Sequence, residues 1–192
     1  MGRSRRLNQI IVVEAAAQLI DEAGDPATLC LKTLAAKLGI RVPSLYNHVD
    51  GLEGLTRAVA LWGLQQLLAE LRQAAVGKAG RDALNAVAHS YRAFVLAHPG
   101  VYPLTLRAPA ANDAEMSAVA NELVELVLLL LAPLGLHDAD ALHEVRILRS
   151  LLHGFVSLEA AGGFGLPLER DESFRRLINR YIDGITTQLL EV

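Results

Sequence analysis

The sequence predicts an all-α protein, and three observations carry that prediction. Leucine and alanine dominate a composition that is 52% hydrophobic, whereas aromatic residues make up only 5%, which favours helices over strands. Apolar residues recur three and four positions apart along most of the chain, which is the period of one helix face. Glycine and proline separate these patterned segments, as expected at helix ends. A chain of 192 residues has room for one or two domains.

The N-terminal part of the chain contains three of the predicted helices. The first has one apolar face and ends before Gly24 and Pro26. Two short helices follow on either side of Gly39, and Pro43 lies in the first turn of the second, where its missing N–H breaks no hydrogen bond. These helices are predicted over residues 5–23, 31–38 and 42–48.

The rest of the chain alternates apolar helical patterns with Gly/Pro breaks, and no segment predicts a strand. Its helices are predicted over residues 52–75, 81–97, 101–106, 113–132, 139–161 and from 171 onward, about nine in all with the first three. The longest apolar run, residues 126–136, is interrupted by Pro133 and is shorter than the roughly 20 residues of a membrane span. It therefore predicts a buried helix, and no membrane is expected as a partner.

Charge and cysteine usage indicate where the protein acts. The net charge is −3, but the first ten residues carry three arginines and no acid, so the N-terminal end is expected to face an anion. The single cysteine, Cys30, excludes an internal disulfide and fits a reducing cytoplasm. No signal-like apolar stretch follows the basic start, and a cytoplasmic location is expected.

The segment from Leu31 to Val49 carries the functional signal. It predicts two short helices joined by a tight turn, with apolar residues inward and a polar set left outside: Ser44, Tyr46, Asn47 and His48. The second helix of a helix-turn-helix enters the DNA major groove, where such side chains bind base edges and phosphates. A helical hairpin with an ordinary polar face is the alternative, and the residues alone leave both open.

Two motifs in this segment point to a family. The run Leu38-Gly39-Ile40 is followed by Pro43-Ser44-Leu45-Tyr46-Asn47-His48-Val49, and the segment contains a spaced Ala-x-x-Leu-Gly and a Leu-Tyr-x-His pair. Over residues 5–60 the chain resembles the TetR family of bacterial transcriptional regulators. The resemblance implies a three-helix DNA-binding head, a connecting fourth helix and a helical C-terminal domain. We therefore expect a helix-turn-helix domain at residues 1–50 and a ligand-binding and dimerisation domain at residues 51–192.

The resemblance also implies which residues contact DNA. They are Arg3, Arg5, Arg6, Lys32, Thr33, Arg41, Val42, Pro43, Ser44, Tyr46, Asn47 and His48. Three positions depart from the family pattern. Arg41 stands where another capping residue is common, and it is expected to contact DNA instead. Cys30 stands where a capping Ser or Thr is usual, which predicts a weaker helix start. Leu52 stands where many relatives have a lysine, which removes one expected phosphate contact.

The C-terminal domain is similar to a subtype of the family named for its Trp, His and Gly. The similarity lies in His153-Gly154-Phe155, Leu158-Glu159 and Gly162-Gly163-Phe164, with Arg149 in place of the usual tryptophan. Relatives form two-fold dimers through their last two helices, which implies a homodimer here. The predicted interface residues, which could equally pack in the protein core, are Leu148, Leu152, Phe155, Val156, Phe174, Leu177, Tyr181 and Ile185.

The central helices are expected to enclose a pocket for a small molecule. Its candidate lining combines apolar and aromatic surface with a few polar groups, although residues of these types are more often plain core: Trp62, Gln66, Tyr91, Phe94, Tyr102, Leu106, Met116, Val119 and His153. The resemblance implies a dimeric regulator, usually a repressor, on a palindromic DNA operator. A partly apolar effector would release it by preferring a state that cannot bind DNA.

Two other classes of protein compete with the regulator. For an enzyme, the six histidines include no H-E-x-x-H spacing and the chain has no G-x-S-x-G motif, so no catalytic residue, metal ligand or cofactor is predicted. The remaining alternative is a helical adaptor that binds protein and no longer binds DNA specifically. DNA binding weakens steeply with salt, which distinguishes the two.

Overall fold

The structure is a computed structural model that describes residues 7–188, and within this range it contains α-helices and no strand. The all-α prediction is confirmed. The eight α-helices are α1 Gln9–Ala23, α2 Leu31–Leu38, α3 Val42–Leu45, α4 Gly51–Ala75, α5 Gly80–Ala97, α6 Ala114–Leu131, α7 Asp138–Ala160 and α8 Arg170–Gln188. The predicted DNA contacts Arg3, Arg5 and Arg6 lie outside the described residues.

The described residues form eight helices rather than about nine because the segment predicted at 101–106 is a 3₁₀ turn, Tyr102–Thr105. Proline occupies one of its first two positions and supplies no N–H, and the segment is too short to build an α-helical ladder. The first helix begins at Gln9 because the side chain of Asn8 accepts a hydrogen bond from the N–H of Ile11 at 2.9 Å, as an N-cap does.

The packing divides the chain into two compact units, and the division falls within α4. Unit 1 comprises the residues up to Gln66 together with Ala97–Pro109, and unit 2 comprises Leu67–Leu96 and the residues from Ala110 onward. The functional division expected at residues 1–50 and 51–192 stays a prediction.

Unit 1 has a hydrophobic core to which α1 through α4 all contribute. Its fully buried members are Val12, Ala16, Ile20, Leu34, Leu45, Leu55, Val59 and Val101. Val101 is the one residue of this set that lies outside α1 to α4, because it belongs to the segment that follows α5. Burial of these side chains is the main stabilising contribution to the unit.

Unit 2 contains α5 to α8 and combines an apolar core with a buried ion pair. Phe94, Leu131, Phe174, Ile178 and Ile182 are almost fully buried. The guanidinium of Arg92 binds both carboxylate oxygens of Glu159, at 2.7 and 2.6 Å. The hydrogen bonds to Glu159 raise the pKa of Arg92 above its usual range, so the arginine stays charged.

Helix α6 does not meet the expectation of a buried apolar helix. Residues Ala114–Leu134 are long and apolar enough to cross a membrane by length and composition, yet only 11% of the apolar window is buried within the described chain. Sequence hydrophobicity does not reveal which side of a helix a single chain covers. A single helix of this kind is weak evidence for a membrane span, because helices of soluble proteins can have the same length and apolar composition.

Candidate DNA-binding surface

The turn between α2 and α3 is set by local backbone chemistry. At the start of α2, Sγ of Cys30 accepts a hydrogen bond from the N–H of Thr33 at 3.4 Å. At its end, Gly39 adopts a left-handed φ of 66° and its N–H reaches the carbonyls of Ala35 and Ala36, which closes the helix in the manner favoured by glycine. The N–H of Ile40 also bonds to the carbonyl of Ala35 at 3.0 Å.

Helix α3 is shorter than the predicted span of 42–48. The helix ends at Leu45, and residues 46–48 continue as a turn in which the N–H groups of His48 and Val49 bond to the carbonyl of Leu45 at 2.8 and 3.1 Å. The chain then enters α4 through Gly51, whose φ is 67°. The N–H of His48 bonds to the carbonyl three residues back and not four, so the α-helical ladder does not continue past Leu45. Tyr46 keeps backbone angles close to those of a helix, so this first polar residue after Leu45 continues the path of α3.

The described DNA-binding candidates lie on the helix-turn-helix and differ in exposure. Those with exposed side chains are Lys32, Thr33, Arg41, Pro43, Tyr46 and Asn47, and those that are half-buried are Val42, Ser44 and His48. Leu34 and Leu45 are fully buried below them. Tyr46, at 58% exposed, is the most prominent apolar-bodied group of the set. The hydroxyl of Thr33 donates a hydrogen bond to the carbonyl of Cys30 at 2.9 Å, so this hydroxyl is already bonded to the backbone at the start of α2.

The cations of this surface differ in whether they are paired. Lys37 forms an ion pair with Glu22 at 2.9 Å. Among residues 7–188, no carboxylate lies within ion-pairing distance of Lys32 or Arg41. Unpaired exposed cations beside hydrogen-bonding side chains are the chemistry that binds a phosphate backbone.

The ligand-pocket candidates are divided between the two units. Trp62, Gln66, Tyr102 and Leu106 belong to unit 1, whereas Tyr91, Phe94, Met116, Val119 and His153 belong to unit 2. Five are buried, and Trp62, Gln66, Leu106 and His153 are half-buried. The Oγ of Ser157 lies 3.2 Å from Nδ1 of His153. The pocket they were expected to line stays a prediction.

Unit 2 contains a groove that the sequence did not indicate. It has a volume of about 610 Å³, and it is lined by Glu125, Leu128, Leu129, Ala132, Leu136, His137, Asp138, Ala141 and Leu142. None of the predicted ligand residues lines it. The apolar run at residues 126–136 contributes Leu128, Leu129, Ala132 and Leu136 to this groove, whereas its composition predicts a buried helix.

Most of the residues predicted at the dimer interface are buried within the single chain, and the interface stays a prediction. Six of its eight residues are buried in the single chain, namely Leu148, Leu152, Val156, Phe174, Tyr181 and Ile185, while Phe155 and Leu177 are half-buried. These side chains form the core of unit 2. A different face of α7 is open, and it carries Ile147, Leu151, Gly154 and Leu158 at helical spacing.

Comparison with known proteins supplies the family. The family profile described as "Tetracyclin repressor-like, C-terminal domain" matches residues 84–181. The HTH-type transcriptional regulator YobS of Bacillus subtilis is 33% identical over 180 residues, which cover 93% of both chains. This chain belongs to the TetR family. An HTH-type transcriptional regulator of Mycobacterium tuberculosis is likewise 33% identical, over 96% of this chain and 84% of its own.

Solved TetR-like structures agree with this fold. BioQ, solved with its double-stranded DNA operator, superposes with a TM-score of 0.68 at 25% identity, covering 94% of this chain and 99% of its own. The family is a class of transcriptional regulators, so the prediction of a regulator rather than an enzyme is confirmed. The Trp-His-Gly subtype stays a prediction.

Proposed function

We propose that this TetR-family regulator binds operator DNA through α2, the turn at Gly39 and α3. The observation that carries the proposal is the exposed set Lys32, Arg41, Tyr46 and Asn47, supported by a buried core on the same two helices. The cations have no ion-pair partner among the described residues, and the polar groups suit base edges and phosphates. The similarity to BioQ, which was solved with its operator, supports the same use of this surface.

The proposal includes a homodimer in the cytoplasm. Two copies related by two-fold symmetry would place two helix-turn-helix elements on half-sites about 34–36 Å apart, which requires a palindromic operator. The open face of α7 offers the surface for the partner copy. A small, partly apolar effector bound in the C-terminal region would release the DNA and relieve repression, provided that it binds the released state more tightly.

The test is fluorescence anisotropy of the purified protein with DNA from the region upstream of its own gene. Wild type is expected to bind at nanomolar concentration. Tyr46→Ala and Asn47→Ala are expected to weaken binding at least tenfold, because each loses a phosphate or base contact. Gln18→Ala, which removes an exposed polar side chain from α1, is the control.

The salt dependence distinguishes DNA binding from a protein adaptor. If six to ten phosphates are contacted, the affinity falls about 10³–10⁵-fold between 50 and 200 mM salt. Weak binding that is equal on unrelated DNA would contradict the proposal and favour the adaptor.

A further inference from the structure

The segment Ala97–Pro109 follows α5 in the chain but belongs to unit 1. Val101 of this segment is fully buried in the same hydrophobic cluster as Leu34 of α2 and Leu45 of α3, and Leu104 packs against that cluster. The core that supports the helix-turn-helix is therefore incomplete without residues from beyond α5.

Asp21, near the end of α1, holds this segment by its carboxylate. One oxygen accepts hydrogen bonds from the N–H groups of Gly100 and Val101 at 3.0 and 2.9 Å, and the other lies 2.7 Å from Nδ1 of His98. The side chains of Asp21 and His98 are only 15% and 24% exposed. Partly buried hydrogen bonds to a charged acceptor are strong, and removing the acceptor leaves two backbone donors without it.

Two glycines allow this close approach. A Cβ atom at Gly100 would lie 2.0 Å from the carbonyl oxygen of Ile20 in α1, and a Cβ atom at Gly63 of α4 would lie 2.5 Å from Cγ1 of Val101. Neither distance is sterically possible, so the segment fits only against a bare backbone at both positions. The segment is thus held from α1 and from α4 at once.

We propose that Asp21 is a positioning residue for DNA recognition. It fastens residues 97–109 into the core of unit 1, and α2 and α3 keep their DNA-binding geometry only while that segment is in place. Because the segment joins α5 to α6, a displacement at either end of it reaches α1 through Asp21. The DNA-binding head is therefore discontinuous in sequence, consisting of the N-terminal helices and residues 97–109.

The test has two parts. The affinity measurement rests on the proposed DNA-binding function, whereas the hydrogen–deuterium exchange measurement does not. Hydrogen–deuterium exchange of the full chain is followed in peptides from residues 31–45 and 97–109. Asp21→Ala, which leaves no side-chain oxygen to accept these hydrogen bonds, and Val101→Ala are compared with wild type. Asp25→Ala is the matched control, since it removes a carboxylate that accepts a hydrogen bond from the N–H of Ala27 in the same unit. Ile178→Val trims the core of unit 2 as a second control.

In Asp21→Ala and Val101→Ala, exchange is expected to rise at least tenfold in both peptides. Affinity for the upstream DNA is expected to fall at least fivefold, while affinity for an unrelated duplex stays within twofold because the phosphate-binding cations remain. General unfolding would lower both affinities together. Both controls are expected to stay within twofold of wild type in every measurement.

Faster exchange confined to residues 97–109, with residues 31–45 unchanged, would overturn the proposal. If wild type binds no DNA specifically, the proposed function fails, and the exchange of residues 31–45 still decides whether the segment supports the head. If Val101→Ala does not fold, Asp21→Ala decides, because it removes no apolar side chain from the hydrophobic core.

Discussion

Cys30 caps α2 with a sulfur atom where an oxygen is the better acceptor. The Sγ–N distance to Thr33 is 3.4 Å, and a serine hydroxyl accepts more strongly in this position. Cys30→Ser is therefore expected to raise the melting temperature by about 1–3 °C near pH 7, measured by circular dichroism. Cys30→Ala removes the acceptor and is expected to lower it.

The same cap responds to pH. The hydrogen bond with Thr33 lowers the pKa of the Cys30 thiol below its ordinary value, so its thiolate is favoured in the folded state. That stabilisation is complete above the ordinary pKa and is lost as the pH falls through the lowered one. The advantage of Cys30→Ser should therefore shrink as the pH rises toward 9. An advantage that is constant from pH 6 to 9 would contradict this account.

The Arg92–Glu159 pair makes unit 2 sensitive to single substitutions. Their side chains are only 11% and 6% exposed, and the guanidinium also lies over the ring of Phe174 at 5.0 Å. Glu159→Gln leaves the arginine charged and poorly paired, and we expect it to lower the free energy of unfolding by about 2–4 kcal/mol. Urea unfolding measures this loss.

Two further variants test whether the loss comes from an unpaired charge. Arg92→Met combined with Glu159→Leu is expected to be less destabilised than either single variant, because no buried charge remains. Asp171→Asn is the control, since this second carboxylate on Arg92 is largely exposed and is expected to contribute little. An additive double variant would argue against this mechanism.

At the scale of elements, the sequence predicts what is encoded locally. The helix-turn-helix was predictable because Gly39 and the apolar spacing around Leu34 and Leu45 act within a few residues. The end of α3 and the 3₁₀ turn at residues 102–105 were not, since each depends on how much chain remains before the next packed element. The hydrogen bonds of Asp21 could not be predicted from the sequence either, because its partners lie about eighty residues away along the chain.

Helix α4 begins beside the DNA-binding surface with an exposed leucine, Leu52. A helix N-terminus favours a phosphate through its free N–H groups, and a lysine there would add a cation. Leu52→Lys is expected to tighten DNA binding and to steepen the slope of log K against log salt by about 0.9 per subunit, or about 1.8 for the dimer, measured by anisotropy titrations. Leu96→Lys, in unit 2, starts from an equal exposure of 44% and is the control. Equal slopes in the two variants would count against a phosphate beside Leu52.

At the scale of the molecule, sequence periodicity identifies an apolar face but not what covers it. The buried face of α7, with Leu148, Leu152 and Val156, and its open face, with Ile147 and Leu158, both follow the helical repeat. Only the packing of the other helices of unit 2 separates core from surface. Most of the residues predicted at the interface are buried in one chain, so the interface stays a prediction, and a dimer is the best account of the open face.

The open face of α7 predicts where a second copy binds. Ile147, Leu151, Gly154 and Leu158 form one stripe, and a Cβ atom added at Gly154 would meet no atom within 4 Å. A small residue within an apolar stripe lets two helices approach closely, and burial of such a stripe drives association. Ile147→Glu combined with Leu158→Glu would bury four carboxylates at a two-fold interface. We expect it to weaken the dimer at least 100-fold.

Sedimentation velocity at micromolar concentration measures this effect, and Leu142→Glu is the matched control. Leu142 is a leucine of the same helix with a similar exposure, 48% against 53% for Leu158, but it lies on the groove side. The double variant is expected to sediment as a monomer and to lose operator affinity, because one head then binds each half-site alone, whereas Leu142→Glu is expected to remain dimeric. A monomeric wild type would refute the dimer, and a dimeric double variant would show that the copies meet through another face.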